Sequence, residues 1–231
     1  MKRFWKAAEA AAAEGGWGVQ LDQRSLRTPG GAPLLVPTAA LAAAIAEEWA
    51  DAAKTVDPRA MPLTGIANAA IDSVTPDRPA FAADLGKYAQ GDLACYRAER
   101  PQSLTAEQQA KWDSLLGWAR RRYEVDFVTT TGILHVAQPR PTVERLAHEV
   151  AALDPFRLAG LSPLVTIGGS LIAALAVREG ALTPEQAWDV VSIDERWQIE
   201  KWGADPEAEA ALANRRREFL AAARFLELLG A

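Results

Sequence analysis

The sequence predicts an α+β fold: a small N-terminal α/β two-layer domain over residues 1–73, followed by a larger all-helical domain over residues 74–231. Three observations lead there. Short apolar–polar alternations separated by turn signals crowd into the first forty residues. An apolar face at helical spacing follows at once and can cover them. Beyond residue 73 the chain is punctuated by Thr75-Pro76, Asp154-Pro155, Ser162-Pro163, Thr183-Pro184 and Asp205-Pro206. Each places a capping side chain before a proline suited to a first helical turn, which predicts a bundle with short loops.

In the first domain, Trp17, Val19 and Leu21 alternate with Gly18 and Gln20, and Asp22-Gln23 offers a turn into Arg24 to Thr28. Pro29 to Pro33 is a second turn, and Leu34-Leu35-Val36 a short third strand. Phe4 to Ala8 is a further strand candidate, whereas Ala10 to Ala13 favour helix locally. Thr38 caps a helix whose Leu41, Ala44, Ile45, Trp49 and Ala52 share a face, and at that spacing Trp49 reads first as core. Thr55 to Met61 is a connector, and Leu63, Ile66, Ala67, Ala70 and Ile71 return to helical spacing.

In the second domain, Thr105 to Gln108 has the form of a capping box, with Trp112, Leu115, Leu116, Ala119 and Tyr123 as the inner face of its helix. Val125 to Val128 and Ile133 to Val136 suggest an extended excursion turning at Thr131-Gly132, and Pro139 and Pro141 precede a helix over about residues 142–152. A last helix runs from Pro206 to about Leu229, with Leu212, Phe219, Leu220, Ala223 and Leu226 inward. No internal repeat or long linker interrupts this order.

The most informative stretch is Thr183 to Gly203. Thr183, Pro184 and Gln186 form a helix start and Gly203 a stop, so one helix of about five turns is expected. Trp188, Val191, Glu195, Ile199 and Trp202 fall on one side of it; Val190, Ile193 and Trp197 cover a neighbouring face. Glu195 thus sits in an apolar stripe, where an ionised carboxylate is costly without a partner. An arginine pair inside the protein and a contact on a bound partner both satisfy it. Acid–base chemistry fits less well, because Asp194 and Glu195 are adjacent and point about 100° apart.

Composition narrows the function. The net charge of −5 gives no support for a nucleic-acid or anionic-membrane surface. The Arg120-Arg121-Arg122 and Arg215-Arg216-Arg217 runs read as solvated helix faces. One cysteine, Cys95, excludes an intramolecular disulfide, and two histidines make a dedicated zinc site improbable. Leu164 to Val177 is too short to span a bilayer, so no membrane insertion is expected. The start of the chain lacks a signal-peptide pattern, which predicts a cytoplasmic protein. Gly168-Gly169-Ser170 is no phosphate loop, and the serine-hydrolase and dinucleotide motifs are missing. No catalytic residue, cofactor or metal is expected, which favours a binding protein over an enzyme.

The residues also resemble a known family, the ATP synthase F-one assembly chaperones that act on the alpha subunit (the ATP-twelve family of mitochondria and alpha-proteobacteria). The likeness is carried by Gly16 to Asp22 with Arg27-Thr28-Pro29, by Val36-Pro37-Thr38, Glu48-Trp49, Met61 to Thr64 and Ala70-Ile71-Asp72. It continues through Asp92-Leu93, Cys95-Tyr96-Arg97, Trp112, Gly132-Ile133, Gly169-Ser170-Leu171, Asp194 to Gln198 and Trp202 to Asp205. The resemblance implies an orthogonal helical bundle after the N-terminal layer and a non-enzymatic role, holding the new alpha subunit and shielding its subunit interface. It carries the family's functional acid onto Glu195 and its Glu-Trp pair onto Glu48 and Trp49, with Asp194, Trp197 and Trp202 beside the acid as candidate partner contacts. A monomer when free is expected, bacterial and cytoplasmic, with relatives in the mitochondrial matrix. The rival reading is a small-substrate enzyme using the carboxylates around Asp194 and Glu195.

Overall fold

The computed structural model describes residues 2–203 and 205–230. The fold is α+β, and the chain divides into two units. The first comprises residues 1–78, 154–160 and 224–231; the second comprises residues 79–153 and 161–223.

The first unit is built on a small antiparallel sheet of β1 (Ala8–Ala13), β2 (Gly16–Leu21), β3 (Arg24–Ser25) and β4 (Leu35–Val36). β2 is central, pairing with β1, β3 and β4. The alanines that favour helix locally are the strand here. Gly15 at φ 89° closes a hairpin that puts Ala8 opposite Leu21 and Ala13 opposite Gly16, so six-residue pairing overrides propensity. Gly16 is required as well: a Cβ there would lie 2.7 Å from the Val36 carbonyl oxygen. Asp22 and Gln23 both have positive φ, as a tight two-residue hairpin turn demands. The Asp22 carboxylate accepts the Lys6 and Ala7 N–H groups, which hold it below its usual pKa and fix the entry to β1.

α1 (Ala39–Ala50), capped by Thr38 Oγ1 on the Leu41 N–H at 3.1 Å, buries Leu41, Ala44, Ile45 and Trp49, while β2 buries Val19 and Leu21. α2 (Pro62–Ala69) follows and runs on through a wider turn at Ala70–Val74 and a tighter one at Thr75–Asp77 into α3 (Arg78–Gly86). Thr75-Pro76 therefore changes the winding of a continuous helical run; the Thr75 hydroxyl donates back to Ala70 O at 2.7 Å. Asp72 pins the Thr28–Gly31 turn, accepting from Thr28 Oγ1 at 2.7 Å and Gly30 N at 2.8 Å.

The second unit is mainly helical. After β5 (Tyr96–Arg97), α4 (Gln102–Tyr123) starts a turn earlier than the Thr105 box suggests, because Pro101 opens it. Thr105 donates to Ala98 O at 2.8 Å, and Gln108 takes the Ala98 N–H at 2.7 Å instead of capping. Its expected inner face, Trp112, Leu115, Leu116, Ala119 and Tyr123, is buried. The segment after it differs from the expected excursion. β6 (Thr130–Thr131) pairs in parallel with β5, while Val128 exchanges hydrogen bonds with the Gln138 side chain at 3.0 and 2.8 Å. A buried amide thus takes the place of a strand partner.

α5 (Arg140–Ala151) and α6 (Pro155–Gly168) come next. Asp154 caps α6 on Phe156 N at 2.9 Å, but Ser162-Pro163 lies inside that helix rather than at a new start. Gly169 at φ 65° then separates α6 from α7 (Leu171–Arg178), whose residues from Leu171 to Val177 are all buried.

The expected five-turn helix is two helices, α8 (Pro184–Val191) and α9 (Ile193–Trp202), broken at Ser192. Two hydrogen bonds account for the break. The Asp189 carbonyl accepts from Arg196 Nη2 and the Val190 carbonyl from Trp112 Nε1, both at 2.8 Å, competing with the helical ladder, while Trp188 O keeps its bond from Ser192 N and takes the Ser192 hydroxyl as well at 2.7 Å. The Thr183–Gln186 capping box forms as the sequence indicates, and Gly203 ends α9 at φ 89°. α10 (Pro206–Leu229) closes the chain; in the second unit its Phe219 packs against Trp188 with ring centroids 5.5 Å apart.

Candidate functional site

The candidate residues fall into two groups, one in each unit. In the first, Glu48 near the end of α1 reaches the start of α2. Met61, at the N-cap, supplies no side-chain cap, and Pro62 has no N–H. The next two donors, Leu63 N and Thr64 N, bond to the two Glu48 carboxylate oxygens at 2.7 and 2.8 Å. Thr64 Oγ1 adds a third bond at 2.7 Å and accepts from Trp49 Nε1 at 3.2 Å. Trp49 in turn gives its carbonyl to Trp5 Nε1 at 3.0 Å, and the two rings lie 5.1 Å apart. Burial pushes the Glu48 carboxyl above its ordinary pKa, against the pull of the three donors. The Glu48-Trp49 pair is thus a helix cap fused to an aromatic core.

In the second unit, α9 carries Asp194, Glu195, Trp197 and Trp202. Glu195 Oε1 pairs with Arg215 Nη1 of α10 at 2.7 Å, and Arg215 Nη2 donates to Ile167 O at 3.0 Å. The arginine partner that the stripe demanded therefore exists. Yet the pair is only partly withdrawn from water, with the Glu195 side chain 34% and Arg215 43% exposed. Asp194 faces another way and accepts from Gln108 Nε2 at 2.7 Å. Burial, and secondarily the Glu195 charge, raises its carboxyl above the ordinary value, while the Gln108 bond opposes. The two acids belong to separate hydrogen-bond systems and do not converge on a common point.

Past Ser192 the apolar stripe loses its burial. Trp188 and Val191 are in the core, Ile199 is half-buried, and Trp202 is 75% exposed. The single five-turn helix expected from the sequence is thus corrected to two, with the stripe buried along α8 and increasingly open along α9. Trp202 stands edge-to-face on Trp197 with centroids 5.6 Å apart. Trp197 is buried, and its Nε1 has no hydrogen-bond partner among the described residues. Asp205, counted with this stretch in the sequence, accepts the Glu207 N–H at 3.3 Å at the start of α10.

Sequence reasoning missed Asp92. It is fully buried, capping its own turn on Ala94 N at 3.0 Å and reaching the start of α7 to accept from Ser170 Oγ at 2.8 Å and Ile172 N at 3.0 Å. Burial raises its pKa from 3.8 to about 6 despite those donors. Nearby Cys95 is buried, and burial together with the Asp92 charge pushes its thiol up to about 12, so it stays protonated and unreactive. Among the described residues no His, Cys, Asp and Glu cluster could hold a metal ion, and no helix is long and apolar enough to cross a membrane.

Solved structures place this arrangement among the chaperones. The fold aligns with Atp12 from Paracoccus denitrificans at 46% identity and a TM-score of 0.93, covering 99% of this chain and 98% of that one. It aligns with an Agrobacterium tumefaciens protein at 38% identity and a TM-score of 0.94, covering 99% and 86%. Residues 2–120 match the family model described as ATP12 chaperone protein. A relative from Schizosaccharomyces pombe, the mitochondrial protein atp12, is 26% identical over 215 residues, covering 88% of this chain and 74% of its own length. The chain belongs to the ATP12 chaperone family.

Proposed function

We propose that this protein is an assembly chaperone that binds the newly made alpha subunit of the ATP synthase F-one sector and shields its subunit-interface surface until the catalytic hexamer forms. The observation that carries the reading is the likeness to Paracoccus Atp12 over 99% of this chain together with α9, which carries both an exposed tryptophan, Trp202, and the acid of a partly exposed ion pair, Glu195. An unassembled oligomer interface is an apolar patch prone to aggregation, and a temporary apolar partner lowers the exposed population. Trp202 supplies such a contact, and Glu195 and Arg215 supply charges that fix its register. The compartment is the one where that subunit is made, the bacterial cytoplasm.

Co-expression tests this directly. The alpha subunit is expected to become soluble and to co-purify with the chaperone; no change in either would sink the proposal. Glu195→Gln is expected to weaken that retention while costing at most about 1 kcal/mol of folding stability, the range for a half-exposed pair. A loss of several kcal/mol, measured by urea unfolding, would mark Glu195 as structural instead.

A further inference from the structure

Of the three arginines in the run 120–122, two are committed within the second unit. Arg120 lies over the Phe127 ring at 5.8 Å and donates to its carbonyl at 3.4 Å. Arg122 pairs with Glu179 and lies over Tyr123 at 5.1 Å. Arg121 is exposed and has no ion pair among the described residues. It borders a cleft of about 400 Å³ whose walls come from α4, α7, α8 and the turn between the last two. The apolar wall is Leu115, Trp118, Leu182 and Val190; Lys111 shares the rim. Lys111 is held only loosely by Glu107, at 3.6 Å, and Asp189 is the acid on the opposite rim.

Two features suit this cleft to a particular occupant. Its volume and half-exposed indole accept a short run of apolar side chains. At its rim Lys111 is shared with Glu107 and Asp189 lies opposite, so Arg121, which has no ion pair among the described residues, is the cation left to take a carboxylate. We propose that this cleft binds a short apolar segment of the client subunit that carries an Asp or Glu, with Arg121 pairing the carboxylate and Trp118 packing on the flanking side chains. The inference rests on the chaperone reading above and adds a second contact point, on α4 and α8, to that of α9.

The test uses the full chain and a panel of peptides of about 15 residues tiling the alpha subunit, with binding followed by fluorescence anisotropy. Peptides combining apolar residues with an acid are expected to bind. Arg121→Glu should weaken them about tenfold, and replacing the peptide acid by lysine should restore binding to that variant. Ser114→Trp, at an exposed position on the cleft, should block binding while circular dichroism stays unchanged. The cleft proposal is overturned if peptide binding is absent or indifferent to both substitutions, even where the intact subunit is still retained in co-purification. Arg121-dependent peptide binding without retention of the intact subunit would uphold the cleft and reject the chaperone reading.

Discussion

Glu48 does for α2 what the residue at its own N-cap does not. A carboxylate suits the position because both of its oxygens accept, one from Leu63 N and the other from Thr64 N and Oγ1. An amide has only one accepting oxygen, so Glu48→Gln would set an NH2 group against a backbone donor. The change is expected to cost about 1–3 kcal/mol, the range for leaving a buried hydrogen-bonding group unmatched, and to loosen the Trp49–Thr64 contact. Urea unfolding of the variant measures it, and a cost under about 0.5 kcal/mol would contradict the capping role. Asp92 serves α7 in the same way from outside the helix. Glu195 differs from both: it holds one half-exposed arginine and no helix start, which leaves it freer to act on a partner.

At the scale of elements, β1 shows how pairing overrides composition. Ala12 lies opposite Trp17 and is exposed, so Ala12→Val adds a β-branched residue beside an aromatic one without burying anything new. It is expected to stabilise the first unit by about 0.5 kcal/mol; a destabilisation would mean the strand is not the resting state of these alanines. α9 offers the complementary case. Trp202→Ala removes an exposed side chain and should change stability by no more than about 0.5 kcal/mol, yet reduce co-purification of the client. Equal retention by the variant would move the client contact off this helix. β1 and the α8–α9 pair also mark where the sequence was legible. The capping box at Thr183 and the stop at Gly203 were readable because they are local. The break at Ser192 was not, because it depends on Trp112 reaching the Val190 carbonyl from 78 residues away. The strand at Ala8–Ala13 was hidden for the same reason: its partner supplies what its own side chains lack. Glu195's need for a cation could be inferred from its stripe, whereas Arg215 as that cation, 20 residues on, depended on how α10 packs.

For the whole molecule, three partly or fully buried carboxyls, Glu48, Asp92 and Asp194, are all raised by burial, which sets how stability varies with pH. Asp154 runs the other way: burial pushes it up, but Arg157 outweighs that and draws it down. Asp92 is the deepest, at about 6 in the folded chain against 3.8 for the free carboxyl. A raised acid binds its proton more tightly when folded, so its contribution to stability is complete below the unfolded value and is lost as pH rises through the folded one. Between about pH 7.5 and about pH 5 the protein should therefore gain about 1 kcal/mol from Asp92 alone. Other groups titrate over the same span, and Asp92→Asn separates them. The variant keeps a hydrogen-bonding group of the same shape that cannot ionise, so the difference in unfolding free energy between wild type and variant reports Asp92 by itself. That difference is expected to grow in favour of the wild type as pH falls over this span. A constant difference, or one that grows toward alkaline pH, would mean that the Ser170 and Ile172 donors stabilise the ionised carboxylate more than burial opposes it.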